Sequence, residues 1–343
     1  DPITREPKGL LIEESRANLQ VYSQTQQSAS WTFVSSSFLD AQIIAPDGTN
    51  TGSALIPANA TARAAAYKGF TATAQPYTWS VYAKQGAFIW SYIRLYDGST
   101  DRGAWFNLAN GTVGTVEAGA TATITPVGNG FYRLSVTATL PATPSAQVGL
   151  EVSGSNGVKT VTGNGFNSLY YWGAQLEAGA FPTSYIPTVA SQVTRTADSA
   201  SIPRASWFNI SQGTFYAEVL AGTASTVGAY GGNVCFIASS NNASPERLGI
   251  YFNSGTSSTI NTFNGATSYT ATSATVAAGV FHKVSAFYET SGIGMTADGG
   301  TVVPTSGILP VYQTFTNLNI GQNYVSNCLL YTSDAADDMQ CVD

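Results

Sequence analysis

Hydrophobic and polar residues alternate along most of the chain, and apolar residues at helical spacing are rare. Alternation with a period of two places successive side chains on opposite faces of a β-strand. Short turn sequences such as Asp97-Gly98 and Asp298-Gly299 separate the alternating segments, which is typical of sandwiches and barrels. The predicted class is therefore all-β, with two consecutive antiparallel β-sandwiches. The clearest predicted strands are 79–83, 88–96, 131–139, 147–152, 169–176, 213–220, 248–253, 280–288 and 318–321.

A break in the alternation divides these strands into two sets. Residues 181–188 contain two prolines and no clear period, and the polar segment that follows carries no strong strand signal. We therefore predict a first domain over 1–188, a linker over 189–205 and a second domain over 206–327. The two halves share no internal repeat, so two different sandwiches are expected.

Composition narrows the classes of partner. Charged residues make up 10% of the 343 positions, against about 25% in an ordinary soluble protein, and the net charge is −6. So few basic residues argue against a nucleic-acid partner, which requires clustered Lys and Arg. No apolar run reaches about 18 residues, so no membrane insertion is expected.

Residues that carry catalytic or metal chemistry are scarce. The chain has three cysteines and one histidine, His282, for which a structural role is expected. No nucleophile, metal-ligand or phosphate-binding motif is present, and the glutamates are scattered. The prediction is a non-enzyme without a cofactor, and nothing indicates a structural calcium ion. Cys235 lies in a buried strand pattern and is expected to be inert.

The strand over 88–96 has two chemically different sides. Its aliphatic residues Ile89, Ile93 and Leu95 share one side, which is expected to face the core. If strands 131–139 and 147–152 belong to the same sheet, the opposite face offers rings for pyranose C–H faces and polar groups for sugar hydroxyls. The candidate ligand-binding residues on that face are Trp90, Tyr92, Arg94, Arg133, Gln147 and Glu151.

Two alternatives to this site stay open. The aromatic residues could instead pack under a loop or against another subunit. If Trp90 belongs to the core, the site is expected to move to the loops. The loop candidates are then Asp97, Asp101, Arg102 and Trp105.

Two segments of the first half resemble a known module. Gly9 to Leu19 resembles the opening segment, and Tyr171 to Thr188 the closing segment, of a module in tail and head fibre (spike) proteins of tailed bacteriophages. The resemblance brackets residues 9–188 and implies a jelly-roll sandwich similar to carbohydrate-binding modules. The opening strand is expected to lie beside the closing strand and seal a sheet edge.

The second half resembles the concanavalin A-like lectin or laminin-G sandwich of the same proteins, through Gly213 to Glu218, the Asp298-Gly299-Gly300 turn and Leu318 to Gly321. The final strand of that family pattern has no counterpart here, so a truncated second sandwich is expected. Cys328 to Asp338 matches a translated transposon-end sequencing adapter, which predicts a non-native tail over 328–343 without a packing partner.

The resemblance implies a non-catalytic fibre or spike protein of the virion, synthesised in the bacterial host cytoplasm. Its expected partners are a host-surface polysaccharide or glycan, other virion proteins and, in a homotrimer, copies of itself. One alternative is a purely structural decoration or trimer-contact module without a ligand. Another is a pair of binding modules from a glycoside hydrolase whose catalytic domain lies outside this sequence.

Overall fold

The computed structural model describes residues 11–26, 31–166, 168–198, 200–206, 208–209, 211–220, 232–239, 246–253, 257–264, 268–272, 280–306, 317–320 and 330–332. Every strand pairing within these ranges is antiparallel. No α-helix occurs in the described part of the chain, so none is long and apolar enough to cross a membrane. The predicted all-β class is confirmed.

The strands follow in chain order: β1 (Leu11–Ile12), β2 (Arg16–Asn18), β3 (Thr32–Val34), β4 (Ser36–Ile43), β5 (Gly52–Pro57), β6 (Thr61–Ala72), β7 (Gln75–Lys84), β8 (Trp90–Tyr96), β9 (Asp101–Asn107), β10 (Thr112–Val116), β11 (Ala120–Gly128), β12 (Phe131–Leu140), β13 (Thr143–Ser153), β14 (Thr160–Thr162), β15 (Leu169–Ala178), β16 (Val193–Arg195), β17 (Ala200–Pro203), β18 (Gly213–Leu220), β19 (Gly232–Ser239), β20 (Glu246–Asn253), β21 (Ser257–Asn264), β22 (Ser268–Thr272), β23 (Phe281–Glu289), β24 (Gly292–Ala297), β25 (Val303–Ser306), β26 (Asn317–Ile320) and β27 (Leu330–Thr332). The described residues form two units, one over 16–195 and one that joins 11–15 to the chain after residue 195.

The first unit consists of two layers and a small two-stranded pair, β16-β2. Sheet I has the order β10-β9-β8-β13-β6-β14, with β3 also paired to β6, and sheet II has the order β11-β12-β7-β15-β5-β4. The core lies between them and receives Ile93 and Leu150 from sheet I and Trp79 and Leu134 from sheet II, all fully buried. Alternation along each strand therefore sends every second side chain into one shared core.

The predicted core side of β8 is confirmed for Ile93 and Leu95, which are both inaccessible to solvent. The prediction is wrong for Ile89, which is 37% exposed. Ile89 lies just before β8 begins at Trp90, so the alternation of the strand does not extend to it.

The end of the predicted opening segment lies beside the closing segment, as predicted, whereas residues 11–15 belong to the second unit. Strand β15 pairs with β5 only from Leu169 to Tyr171, which leaves the rest of that edge for other backbone groups. Leu19 N donates to Leu176 O at 2.8 Å, and Ala174 N donates to Ser23 O at 2.9 Å. The opening segment thereby covers an edge that would otherwise expose unpaired backbone groups.

Asn18 holds this junction together from a fully buried position. Its Nδ2 donates to Ala174 O at 3.1 Å and to Ile186 O at 2.9 Å. Its Oδ1 accepts from Leu176 N at 3.1 Å and from Gln20 N at 3.0 Å. One side-chain amide thus satisfies four backbone groups, as a buried polar group requires.

The second unit also has two layers. One sheet has the order β1-β27-β18-β23-β24-β25, and the other has the order β17-β26-β19-β20-β21-β22. Val284 and Ile293 from the first sheet pack with Leu248 and Ile250 from the second. The predicted turn at Asp298-Gly299 joins β24 to β25, with φ angles of 51° and 73° that favour this residue pair.

Two expectations about the chain between and after the sandwiches differ from the structure. The segment predicted as a linker, 189–205, contains β16, which pairs with β2, and β17, which pairs with β26 and packs Ala200 and Ile202 against the core of the second unit. The prediction that 328–343 lacks a partner is wrong for Leu330–Thr332, because β27 pairs with β18 and β1. A sheet edge accepts a strand through backbone groups, largely regardless of its sequence. The rest of that tail, and the Cys235 side chain, lie outside the described residues.

Replacing Asn18 by alanine should destabilise the first unit by about 2–4 kcal/mol, because several buried backbone groups would lose their partner. Urea denaturation of the full chain would measure the change. Asn50→Ala is the matched control, since exposed Asn50 makes a single 3.3 Å bond to Ala41 O. Equal stability of Asn18→Ala and the control would contradict this role for Asn18.

Candidate functional site

The structure brings five of the six predicted site residues together on sheet I. Trp90, Tyr92 and Arg94 lie on β8, and its neighbour β13 carries Gln147 and Glu151. The register places Glu151 beside Tyr92, on the face that points away from the core residues of β8.

Arg133 does not belong to this face, and that part of the prediction is wrong. It lies on β12, which pairs with β7 and β11 in sheet II. The alternation correctly separates Arg133 from the core residues Leu134 and Val136. Alternation alone, however, gives no information about which sheet a strand joins.

Tyr92 is fully buried although it lies on the outer face. Its ring lies against the Trp105 ring, with the centroids 4.3 Å apart, and its hydroxyl donates to Glu117 Oε2 at 2.6 Å. Gly103 makes room for the ring, since a Cβ there would lie 2.5 Å from the Tyr92 hydroxyl. Burial, followed by the hydrogen bond to Glu117, raises the pKa of Tyr92 far above its usual value.

A loop after β13 covers these two rings. Lys159 Nζ lies 4.8 Å from the Tyr92 ring centroid and 5.7 Å from that of Trp105. It also contacts Asp101 Oδ2 at 2.8 Å and Glu117 Oε1 at 2.9 Å. Burial alone would lower the pKa of Lys159, but these carboxylates outweigh it and raise the pKa. The alternative in which aromatic residues pack under a loop therefore applies to Tyr92 and Trp105.

Glu151 is the centre of a set of ion pairs on this face, and its side chain is almost inaccessible. Arg63 donates Nε to Glu151 Oε2 at 2.9 Å and Nη2 to Oε1. Arg94 Nε lies 3.3 Å from Glu151 Oε1, while its Nη1 donates to Asp101 at 2.8 Å and its Nη2 to Gln147 at 3.0 Å. We call the three cations and three carboxylates so connected the charge network: Arg63, Arg94, Lys159, Asp101, Glu117 and Glu151.

Sequence reasoning missed Arg63, Glu117 and Lys159. They lie on β6, after β10 and before β14, so no local pattern connects them to β8. Composition alone could have indicated them. In a chain with 10% charged residues, an isolated charge in or beside a strand is expected to have a partner of opposite charge.

Around the charge network, three rings stay partly exposed, and we call them the aromatic rim: Tyr67, Trp90 and Tyr96. The Arg94 guanidinium carbon lies 5.9 Å from the Tyr67 ring centroid and 5.3 Å from that of Tyr96. Trp90, at the opposite end of β8, lies beside Gly114, where a Cβ would be 2.8 Å from its ring. The face thus combines buried charges with accessible ring edges.

Of the four loop candidates, only Asp97 lies in the turn between β8 and β9, whereas the prediction is wrong for Asp101, Arg102 and Trp105, which lie on β9. Asp97 Oδ1 accepts from Ser99 N at 2.9 Å and from Thr100 N at 2.7 Å, and its Oδ2 lies 3.1 Å from Arg102 Nη2. Burial favours a higher pKa for Asp97, but the hydrogen bonds from Ser99, Thr100 and Arg102 outweigh it and lower the pKa to about 2. These contacts give the turn a structural role.

Within the described ranges, no group of three or more His, Cys, Asp and Glu residues could hold a metal ion. His282 lies in the second unit, where its Nδ1 is 2.6 Å from Asp298 Oδ2.

No family model matches the chain, and no curated protein matches it. Among solved structures, the chain is similar to domains LG4-5 of the mouse laminin alpha1 chain, with 11% identity and a TM-score of 0.25. The match covers 96% of this chain and 88% of the laminin chain, and it carries no functional argument.

Asp97→Asn should lower stability at neutral pH by about 1 kcal/mol, because the neutral amide keeps the turn geometry but loses the charge facing Arg102. The folded-state pKa of Asp97 lies below its ordinary value of 3.8, so its contribution is full above about pH 4. The difference between wild type and variant should therefore disappear as the pH falls from about 4 to about 2. Urea denaturation at several pH values measures it, and a difference that persists unchanged at pH 2 would contradict the assignment.

Proposed function

We propose that this chain is a non-catalytic component of a bacteriophage tail or head fibre, and that sheet I of its first unit binds host-surface glycans. The supporting observation is the aromatic rim, which surrounds the charge network on one sheet face. Ring faces stack on the apolar faces of pyranoses, and the polar groups between them can bond to hydroxyls. On this proposal the protein acts in the virion, beside other virion proteins.

The charge network has a positioning role in this proposal. Arg94 and Glu151 are buried and hydrogen-bonded within the face, so they hold the rings instead of contacting the ligand directly. Trp90 and the partly exposed Gln147 are the contacting groups. Rigid support of this kind lowers the entropic cost of binding, since few side chains need to be ordered by the ligand.

A purely structural module is the second candidate, and one observation favours it. The Tyr92 and Trp105 side chains already donate to Glu117 and Ser153 without a ligand. Arg94 likewise pairs with Asp101 and Glu151. On that reading the outer face of sheet I is a second, polar core, and the sandwich serves as decoration or as a contact between subunits.

Trp90→Ala should weaken glycan binding at least tenfold while the fold stays intact, because truncation removes a partly exposed ring at the end of β8. A glycan array with the full chain would identify a ligand, and titration calorimetry would compare the variants. Phe166→Ala is the matched control, since Phe166 is 85% exposed in a loop outside sheet I.

The two candidates give different results. Binding that falls in Trp90→Ala and persists in Phe166→Ala supports the glycan-binding function. A correctly folded chain that binds no glycan on the array would overturn it in favour of the structural module. Loss of folding in Trp90→Ala would show that the ring belongs to the packed interior.

A further inference from the structure

Arg133, which sheet I does not contain, lies on the outer face of sheet II. In the register it stands between Tyr82 on β7 and Thr125 on β11. Its guanidinium carbon lies 5.5 Å from the Tyr82 ring centroid. Both Arg133 and Tyr82 are partly exposed, and Thr125 is exposed, so this row of side chains reaches solvent.

All described hydrogen-bond partners of Arg133 are neutral. Its Nη2 donates to Ser80 Oγ at 3.1 Å and to Thr183 O at 2.6 Å. Its Nε is buried without a hydrogen-bond partner, and no described residue provides an acceptor for Nη1. By contrast, Arg63, Arg94 and Arg102 each contact a carboxylate.

Thr183 also bonds to a carboxylate, Glu177, whose hydrogen bonds are already made by other groups. Glu177 is fully buried and accepts from Gln175 Nε2 at 2.8 Å and from Thr183 N at 3.0 Å, as well as from the Thr183 hydroxyl. Thr183 therefore bridges Arg133 and Glu177 through hydrogen bonds. Within the described residues, the Arg133 guanidinium forms no ion pair with the Glu177 carboxylate. The guanidinium keeps an open hydrogen-bonding position toward solvent.

The surroundings of this position suit a sugar ring. Tyr185, partly exposed, lies with its ring centroid 6.1 Å from that of Tyr82 and nearly perpendicular to it. On the other side, the hydroxyls of Thr123 and Ser135 lie 2.6 Å apart along the neighbouring row. Aromatic edges, hydroxyls and one cation thus meet within one patch of sheet II.

We infer that this patch, formed by Tyr82, Arg133, Thr125 and Tyr185, binds a carboxylate-bearing saccharide. An arginine without an acidic partner recognises a carboxylate through charge-assisted hydrogen bonds. The net charge of −6 disfavours anions at long range, so the local guanidinium must supply the recognition. The patch lies on sheet II and is separate from the aromatic rim on sheet I. The inference does not depend on the function proposed for sheet I.

Titration calorimetry of the full chain with trigalacturonic acid tests this inference, with the fully methyl-esterified trisaccharide as the neutral probe. Wild type should bind the acid at least tenfold more tightly than the ester. Arg133→Gln should lose at least tenfold in affinity for the acid, whereas Arg204→Gln, which removes an exposed charge in the second unit, should bind as wild type does.

Arg133→Gln also removes the bond to Thr183, so a second variant controls for folding. Arg133→Lys retains the charge but loses the planar guanidinium, and its affinity for the acid should fall while its thermal unfolding stays close to that of wild type. Equal affinity of wild type for acid and ester, no binding of the acid, or unaltered binding by folded Arg133→Gln would each overturn the inference.

Discussion

The buried carboxylate of Glu151 sets the main constraint on the first unit. A carboxylate removed from water costs several kcal/mol unless cations and hydrogen bonds compensate it. Here Arg63 forms two hydrogen bonds to it, and the Arg94 guanidinium lies beside it. Arg94 in turn holds Asp101, and Asp101 holds Lys159 over the Tyr92 ring. The rings of Tyr67, Tyr92 and Tyr96 thus lie against cations that belong to the network around this one charge.

The outer faces of the two sheets of the first unit are covered in different ways. Sheet I buries rings beneath ion pairs, whereas sheet II is covered by its own closing segment, which is held by hydrogen bonds without an ion pair. Gln175 Oε1 accepts a hydrogen bond from Ile186 N at 2.7 Å, and Glu177 Oε2 accepts one from Thr183 N at 3.0 Å. The functional proposals follow from this difference, because sheet I leaves its rim accessible and sheet II leaves Arg133 without an acidic partner.

Local pattern was enough to predict nine of the 27 described strands and most of their inward faces. Ile93 and Leu95 face the core as the alternation requires, and Asp298-Gly299 forms the expected turn. Pairing between distant strands was not predictable, because Arg133 on β12 has the same alternation whichever sheet it joins. Lys159 could not be assigned either, since it reaches Tyr92 from a loop that is far along the chain. Side-chain periodicity is a local property, whereas the charge network depends on long-range contacts.

A double-mutant cycle between Arg63 and Glu151 tests the central claim most directly. Urea denaturation of wild type, Arg63→Gln, Glu151→Gln and the double variant gives the coupling free energy between the two side chains. The paired hydrogen bonds between them predict a coupling of about 1–3 kcal/mol, with the double variant less destabilised than the sum of the single variants. Effects that add within about 0.3 kcal/mol would contradict the claim that neutralising Glu151 organises this face.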